Sequence, residues 1–262
     1  MNIIVCIKQV PGSNKVKVNP ETGVLIRDGA DTKMNPYDLY AIETAVTLKE
    51  QLGGVVKVIT MGPFQAEDVI REAFAMGADE GYLLTDRKFA GADVLATAYA
   101  LSQGVKMMGD CDLIITGKQT TDGDTAQVGP EMAERLGLPS IANVTKIIEA
   151  NEESITVEME TPTAVERSRI TFPCLLSVEK DIFQPRLPSY IRMKATKDRE
   201  VKRITFADLQ DKDEKKYGLS GSPTQVQKIF PPESASDREL WKGDDAELAQ
   251  KMFDKLAERR FI

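Results

Sequence analysis

The feature that most constrains the fold of this chain is a regular alternation of short apolar runs with segments of helical periodicity over its first half. Nearly continuous apolar runs are typical of strands that are buried on both faces of a parallel sheet. The segments between them repeat apolar residues every three or four positions, as amphipathic helices do. Strands that alternate with helices in this way predict an α/β fold with a doubly wound, mostly parallel sheet.

The predicted elements can be placed along the chain. Strands are expected at residues 2–8, 55–61, 81–85 and 112–116. Helices are expected from Asn35-Pro36 to Leu52, over about 66–76, over about 93–108, and up to Leu136. A hairpin is expected at residues 15–19 and 24–27, turned by Pro20-Glu21-Thr22-Gly23. Residues 140–178 change to a β pattern, which predicts added antiparallel strands.

The C-terminal part of the sequence differs from the rest. Residues 210–245 are polar and rich in Pro, Gly and Ser, and an amphipathic helix is expected at about 245–259. We therefore divide the chain into an α/β domain, residues 1–210, and an extended C-terminal arm with its helix, residues 211–262. The arm carries Ile229, Phe230 and Trp241, so we expect it to pack on a partner subunit. The alternative is that it folds back on its own domain.

Composition excludes several classes of function. The chain has no histidine, which excludes Ser-His-Asp and Cys-His catalysis and His-ligated zinc. A net charge of −7 argues against nucleic acid as a partner. The three cysteines lack metal-ligand spacing and indicate a reducing compartment. No signal peptide and no run long enough to cross a membrane is present, so a cytoplasmic protein is expected.

Four segments follow predicted strand ends, where open parallel sheets bind their ligands. They are Cys6 to Gly12, Asn35 to Asp38 after the hairpin, Met61-Gly62-Pro63, and Gly117 to Pro130. We expect these segments to converge. Taken alone, however, Asn35 to Asp38 reads as an ordinary helix cap and Met61 as a core residue.

The segment from Gly117 to Pro130 is the most informative because it combines glycines, threonines and Lys118 before a helix. Free N–H groups at a helix start attract phosphate oxygens. Asp122 and Asp124 are anionic, so they should face away, cap the helix or bind ribose hydroxyls. The alternative is an aspartate-capped helix start without a ligand. The loop is not a Walker A motif, and no GxGxxG follows the first strand.

Together these motifs resemble the beta subunits of electron-transferring flavoproteins, along nearly the whole chain. The residues that carry the resemblance are Val5 to Pro11, Met34 to Asp38, Thr60 to Pro63, Ala75 to Asp79, Gly117 to Gln119, Asp122 to Asp124, Pro185-Arg186 and Met193 to Ala195. The resemblance implies a flavodoxin-like, adenine-nucleotide-binding domain that is paired with an alpha subunit carrying its own FAD.

The resemblance also implies positions for the sites. The cofactor-binding residues would be Cys6, Asn35, Asp38, Met61, Gln119, Thr120, Thr121, Asp122, Gly123, Asp124, Thr125, Ala126, Gln127 and Val128. A loop from Pro185 to Ala195 would dock a client dehydrogenase, with Pro185, Arg186, Tyr190 and Met193 as docking residues. No catalytic residue and no metal site is expected.

Beta subunits of this family bind either AMP or a second FAD. The stretch from Asp122 to Pro130 resembles versions from anaerobes that bifurcate electrons, so FAD is the expected cofactor, with AMP as the alternative. NADH would then be the transient electron donor, and ferredoxin would be one acceptor. An ATP-using enzyme on a similar sheet is the alternative of another class. It would need a Gly- and Ser-rich loop after the first strand, where Lys8 to Gly12 stands.

Overall fold

The computed structural model describes residues 1–12, 32–227 and 239–262. These residues belong to two compact units, Met1–Gln227 and Lys228–Ile262. The hairpin predicted at residues 15–19 and 24–27 lies outside the described residues, as do Ile229 and Phe230.

The elements of the larger unit alternate as the sequence predicts. Its strands are β1 (Asn2–Cys6), β2 (Gln9–Pro11), β3 (Thr32–Met34), β4 (Val55–Met61), β5 (Glu80–Leu84), β6 (Leu113–Gly117), β7 (Ser140–Ala150), β8 (Ser154–Glu160), β9 (Val165–Thr171), β10 (Cys174–Val178) and β11 (Val201–Ile204). Its helices are α1 (Pro36–Leu52), α2 (Glu67–Met76), α3 (Val94–Met107), α4 (Val128–Leu136) and α5 (Tyr190–Ala195), and the smaller unit contains α6 (Asp245–Glu258).

Nine strands form one sheet in the order β11-β5-β4-β1-β6-β10-β7-β8-β9. Every pairing from β11 to β7 is parallel, whereas β8 pairs antiparallel with both β7 and β9. The doubly wound, mostly parallel sheet with added antiparallel strands is therefore confirmed. Strands β2 and β3 form a separate antiparallel ribbon between β1 and α1.

The central parallel strands β1, β6 and β10 are almost wholly apolar and buried because helices cover both faces of the sheet there. In β1, Ile3 and Val5 point into a core shared with α1 and α2. Ile4 and Cys6 point into a second core shared with α3 and α4. This alternation fixes the register of the strand, since a slip of one residue would exchange the two faces.

Residues that follow β11 also belong to the second core. Tyr217 is 1% exposed and packs edge-on against Tyr99 of α3, with ring centroids 5.3 Å apart. Its hydroxyl donates to the carbonyl of Asp211 (2.8 Å). Residues 211–227, the start of the predicted arm, are thus part of the larger unit.

In the smaller unit, α6 begins at an aspartate cap, in which Asp244 accepts from the N–H of Glu247 (2.9 Å). Trp241 lies beside the helix, with Lys251 Nζ 5.0 Å from its ring centroid. Met252 and Phe253 are more than half exposed. None of the helices in the described ranges is both long and apolar enough to cross a membrane.

Candidate functional site

The candidate site lies where the strand order reverses. Strand β1 has β4 and then β5 on one side and β6 on the other, so the chain leaves β1 first in one direction and then crosses to the opposite side. In such sheets the loops at the carboxyl ends diverge at this point and leave a crevice for a ligand. The segments that follow β1 and β6 form its two sides, and the start of α1 joins them through the contacts below.

Asn35 and Asp38 connect these segments. The Asn35 amide donates to Asp38 Oδ1 (2.9 Å) and to the carbonyl of Gln119 (2.9 Å), and its oxygen accepts from the N–H of Thr121 (3.2 Å). Asp38 Oδ2 accepts from the N–H of Lys8 (2.7 Å). Asn35 is fully buried and Asp38 nearly so. Their side chains therefore shape the main chain of both loops.

Asp38 carries its charge in an unfavourable place. Burial raises the pKa of Asp38 to about 7, against the hydrogen bonds from Asn35 and Lys8, which lower it. The loop after β6 passes close by because Gly117 has no side chain. A Cβ on Gly117 would lie 2.5 Å from Asp38 Oδ1 and 2.7 Å from the Cβ of Tyr37. Glycine is thus required by close approach at this position.

The two acidic side chains of the loop have partners within the protein. Asp122 forms an ion pair with Lys8 Nζ (2.7 Å). Burial would raise the pKa of Asp122, but the hydrogen bond and charge of Lys8 hold it below its usual range. Asp124 Oδ1 accepts from Gln119 Nε2 (3.0 Å). Neither carboxylate caps α4.

Helix α4 therefore begins with an uncapped end. Its N-cap residue is Gln127, and no side chain bonds to its first turn. Asp124 and Ala126 adopt positive φ angles of 50° and 56°, which turn successive N–H groups of the loop. Among the described residues no acceptor serves the main-chain N–H groups of 125–129. Such a set of free donors at a helix start is an anion-binding arrangement.

Two further polar groups lie at the same place. Within the described part of the chain, the hydroxyl of Thr116 and one carboxylate oxygen of Glu131 are buried without a hydrogen-bond partner. Buried polar groups of this kind require an explanation, such as a ligand. A Cβ on Gly129 would come within 2.7 Å of Thr116 Oγ1, so α4 can start here only with glycine. Free N–H donors and buried polar groups without partners thus lie together at the start of α4.

The remaining predicted cofactor residues are distributed around this centre. Cys6, at the end of β1, is 8% exposed, and its Sγ lies 4.0 Å from Met132 Sδ. Burial and the nearby Asp38 raise the pKa of its thiol, so it is no nucleophile. Met61 ends β4 and packs against the core on the α3 side. Lys8, Gly117 and Gly129 lie in the segments that were expected to converge but were not among the predicted cofactor-binding residues, and Thr116 and Glu131 were not assigned to the site at all.

The segment 185–195 lies apart from the crevice. Tyr190 and Met193 are 78% and 52% exposed, together with Leu187 and Ile191 at 87% and 79%. The Arg186 side chain is directed at α1, where it pairs with Glu43. In the described residues no group of His, Cys, Asp and Glu side chains could hold a metal ion.

Comparison with known proteins gives a consistent family. The model of the electron transfer flavoprotein domain matches residues 22–209. The beta subunit of the electron transfer flavoprotein from Thermoanaerobacterium thermosaccharolyticum is 44% identical, and the match covers all of both chains. The corresponding subunit from Clostridium acetobutylicum is 41% identical, again over both whole chains. Subunit CarD of the caffeyl-CoA reductase-Etf complex of Acetobacterium woodii is 40% identical over both whole chains. The chain therefore belongs to the electron transfer flavoprotein family, as a beta subunit with a role in electron transfer.

Proposed function

We propose that this beta subunit binds FAD in the crevice between β1 and β6. The pyrophosphate would accept hydrogen bonds from main-chain N–H groups between Gln119 and Val128. The observation that carries the proposal is the uncapped start of α4, with free donors at 125–129 and both loop aspartates held by other side chains. An unpaired Asp122 would repel a phosphate at this loop, and its ion pair with Lys8 reduces that repulsion.

The residues of the chain have separate tasks in this proposal. Asn35 fixes the curve of the loop through the carbonyl of Gln119 and the N–H of Thr121. Lys8 neutralises Asp122. Gly123 leaves room for close approach, since a Cβ there would meet only Thr120 Oγ1 at 3.4 Å. When bound, the flavin supplies the redox chemistry, and the protein supplies binding and orientation.

The choice between FAD and AMP rests on the loop sequence, and it can be tested directly. The heterodimer with its alpha subunit is denatured and the released nucleotides are counted. Two FAD per heterodimer are expected. One FAD and one AMP would instead identify a non-bifurcating flavoprotein in which the nucleotide of this subunit is structural.

Bifurcation is the second part of the proposal. NADH would be the transient electron donor, and electrons would pass to the flavin of the alpha subunit and to a low-potential acceptor such as ferredoxin. The test is NADH oxidation by the heterodimer and its dehydrogenase, followed at the ferredoxin absorbance. Ferredoxin reduction that depends on the dehydrogenase and its substrate is expected. NADH oxidation without ferredoxin reduction would contradict bifurcation.

The partners follow from the family and from two exposed surfaces. Beta subunits of this family pair with an alpha subunit, and we infer that the C-terminal part of the predicted arm packs on it through the exposed Met252 and Phe253 of α6. We assign the segment 185–195 to docking of a client dehydrogenase, because its apolar side chains are exposed. The relative from A. woodii is named as part of a complex with a reductase, which supports a redox enzyme as the client.

A further inference from the structure

The Arg186 guanidinium bridges two carboxylates of α1. Its Nε donates to Glu43 Oε2 (2.9 Å), its Nη2 donates to both Glu43 Oε1 (2.9 Å) and Glu50 Oε2 (3.0 Å), and its Nη1 donates to Glu50 Oε1 (2.7 Å). The main-chain N–H of Arg186 also donates to Glu43 Oε2 (2.9 Å). Glu43 and Glu50 are two helical turns apart on the same face.

This arrangement depends on the planar fork of arginine. The Glu43 side chain is only 8% exposed. Burial would raise the pKa of Glu43, but the hydrogen bonds and charge of Arg186 hold it below its ordinary value. A lysine ammonium is a compact point charge and cannot serve both carboxylates in one plane. The bridge therefore fixes both the side chain and the main chain at residue 186.

The exposed part of the segment 185–195 comes directly after Arg186 in the sequence. Leu187, Tyr190 and Ile191 are each more than three-quarters exposed, so their own packing does not hold them. On the far side, the N–H of Ser189 donates to the carbonyl of Ala75 (3.2 Å), and Arg192 Nη1 donates to the carbonyl of Met76 (3.0 Å). The segment is thus anchored to α1 at one end and to α2 at the other.

We propose that Arg186 is a positioning residue: it fixes the backbone in which the exposed side chains at 187–191 meet the client dehydrogenase, without contacting that partner. The inference rests on the docking function proposed above for this segment. Ordering these side chains in advance removes an entropy cost that each would otherwise add on binding. The family resemblance implies that Arg186 is one of the docking residues, whereas its side chain is bound to Glu43 and Glu50 of α1.

The test uses the heterodimer and a client dehydrogenase that exchanges electrons with the wild-type heterodimer. Arg186→Gln and Arg186→Lys are expected to raise the KM for the dehydrogenase about tenfold, with kcat and bound nucleotide unchanged. Amides of residues 187–193 should exchange with deuterium faster, while those of β10 stay protected. The matched control is Arg203→Gln, which removes an exposed arginine that is paired with Glu67 outside the segment. It should change neither the KM for the dehydrogenase nor the exchange of amides 187–193.

Arg186→Gln leaves Glu43 buried without its partner, so the double variant Glu43→Gln/Arg186→Gln is measured as well. The double variant should show the same rise in KM as Arg186→Gln, but without the loss of stability that an unpaired, buried Glu43 causes in the single variant. A wild-type KM or unchanged exchange at 187–193 in the double variant would overturn the proposal. So would wild-type behaviour of Arg186→Lys, because charge alone would then suffice. Tyr190→Ala distinguishes a failure of the positioning role of Arg186 from a failure of the docking role of the segment. If Tyr190→Ala leaves the KM for the dehydrogenase unchanged, the docking assignment itself is wrong.

Discussion

The two ends of α1 hold two distant segments of the chain in different ways. At its start, Asn35 and Asp38 are buried and bond to main-chain groups of Lys8, Gln119 and Thr121. Further along, Glu43 and Glu50 bind Arg186 through an ion pair that is partly open to solvent. A buried network shapes a loop rigidly, and losing one member leaves unsatisfied groups. In the Arg186 bridge, only the Glu50 side is half exposed and worth little to the fold, whereas the buried Glu43 depends on Arg186.

The largest effect is expected for Asn35→Ala. It removes a fully buried amide that donates to the buried Asp38 and to the carbonyl of Gln119, which should cost about 1–3 kcal/mol in the free energy of unfolding. The heterodimer should also lose the nucleotide of this subunit. Urea unfolding and nucleotide content after gel filtration measure the two effects.

The control for this variant is Asn151→Ala. Asn151 accepts from the N–H groups of Glu153 and Ser154 (both 2.9 Å) in the exposed turn between β7 and β8. Its loss should lower stability slightly and leave the nucleotide bound. If Asn35→Ala keeps its nucleotide, the loop does not depend on the buried network.

A second variant tests the close approach of the loop to α1. Gly117→Ala places a Cβ 2.5 Å from Asp38 Oδ1, so we expect a loss of about 1–3 kcal/mol in stability from overpacking, and weaker nucleotide binding. Gly123→Ala has space for its Cβ, so it should fold normally and weaken nucleotide binding alone. Thermal unfolding with and without added FAD distinguishes them, and equal stability of the two variants would contradict the packing argument.

The two ends of α1 should also respond to pH in opposite directions. The pKa of Asp38 is raised to about 7 in the folded state, from about 3.9 in the unfolded chain. The folded state therefore binds more protons between these values, and this group makes stability fall as pH rises from about 4 to about 7, by on the order of 1 kcal/mol per pH unit at most. The pKa values of Glu43 and Glu50 are lowered, so their contribution is present above about 4.3 and is lost as pH falls further.

The variant Asp38→Asn isolates the contribution of Asp38 to the pH dependence of stability. It keeps an oxygen for the N–H of Lys8 but cannot ionise. The difference in unfolding free energy between the wild type and this variant should change steadily between pH 5 and pH 7, with the wild type losing stability relative to the variant. A difference that is constant across this range would show that Asp38 titrates at its ordinary value.

The sequence predicts the sheet far better than it predicts these contacts. Apolar periodicity places the helices and strands because burial on two faces is a local property of each element. The site depends on pairs that are far apart in sequence: Lys8 and Asp122, or Asn35 and Gln119. Asn35 does occupy the N-cap position before Pro36, as predicted, yet its side chain makes no cap hydrogen bond and reaches the loop after β6. Nothing in the local sequence around residue 35 indicates that the Asn35 side chain bonds to a distant loop and does not cap its own helix.

The smallest effect on the protein itself is expected for Tyr190→Ala. The side chain is 78% exposed, so its removal should change the unfolding free energy by less than about 0.5 kcal/mol. Nucleotide content should also stay the same, because the 185–195 segment is anchored on α1 and α2 and not on the loop after β6. Electron transfer between the heterodimer and the dehydrogenase should be impaired through a higher KM for the dehydrogenase. Loss of flavin from Tyr190→Ala would mean that the two ends of α1 are coupled, and the separation of cofactor binding from docking along this helix would have to be abandoned.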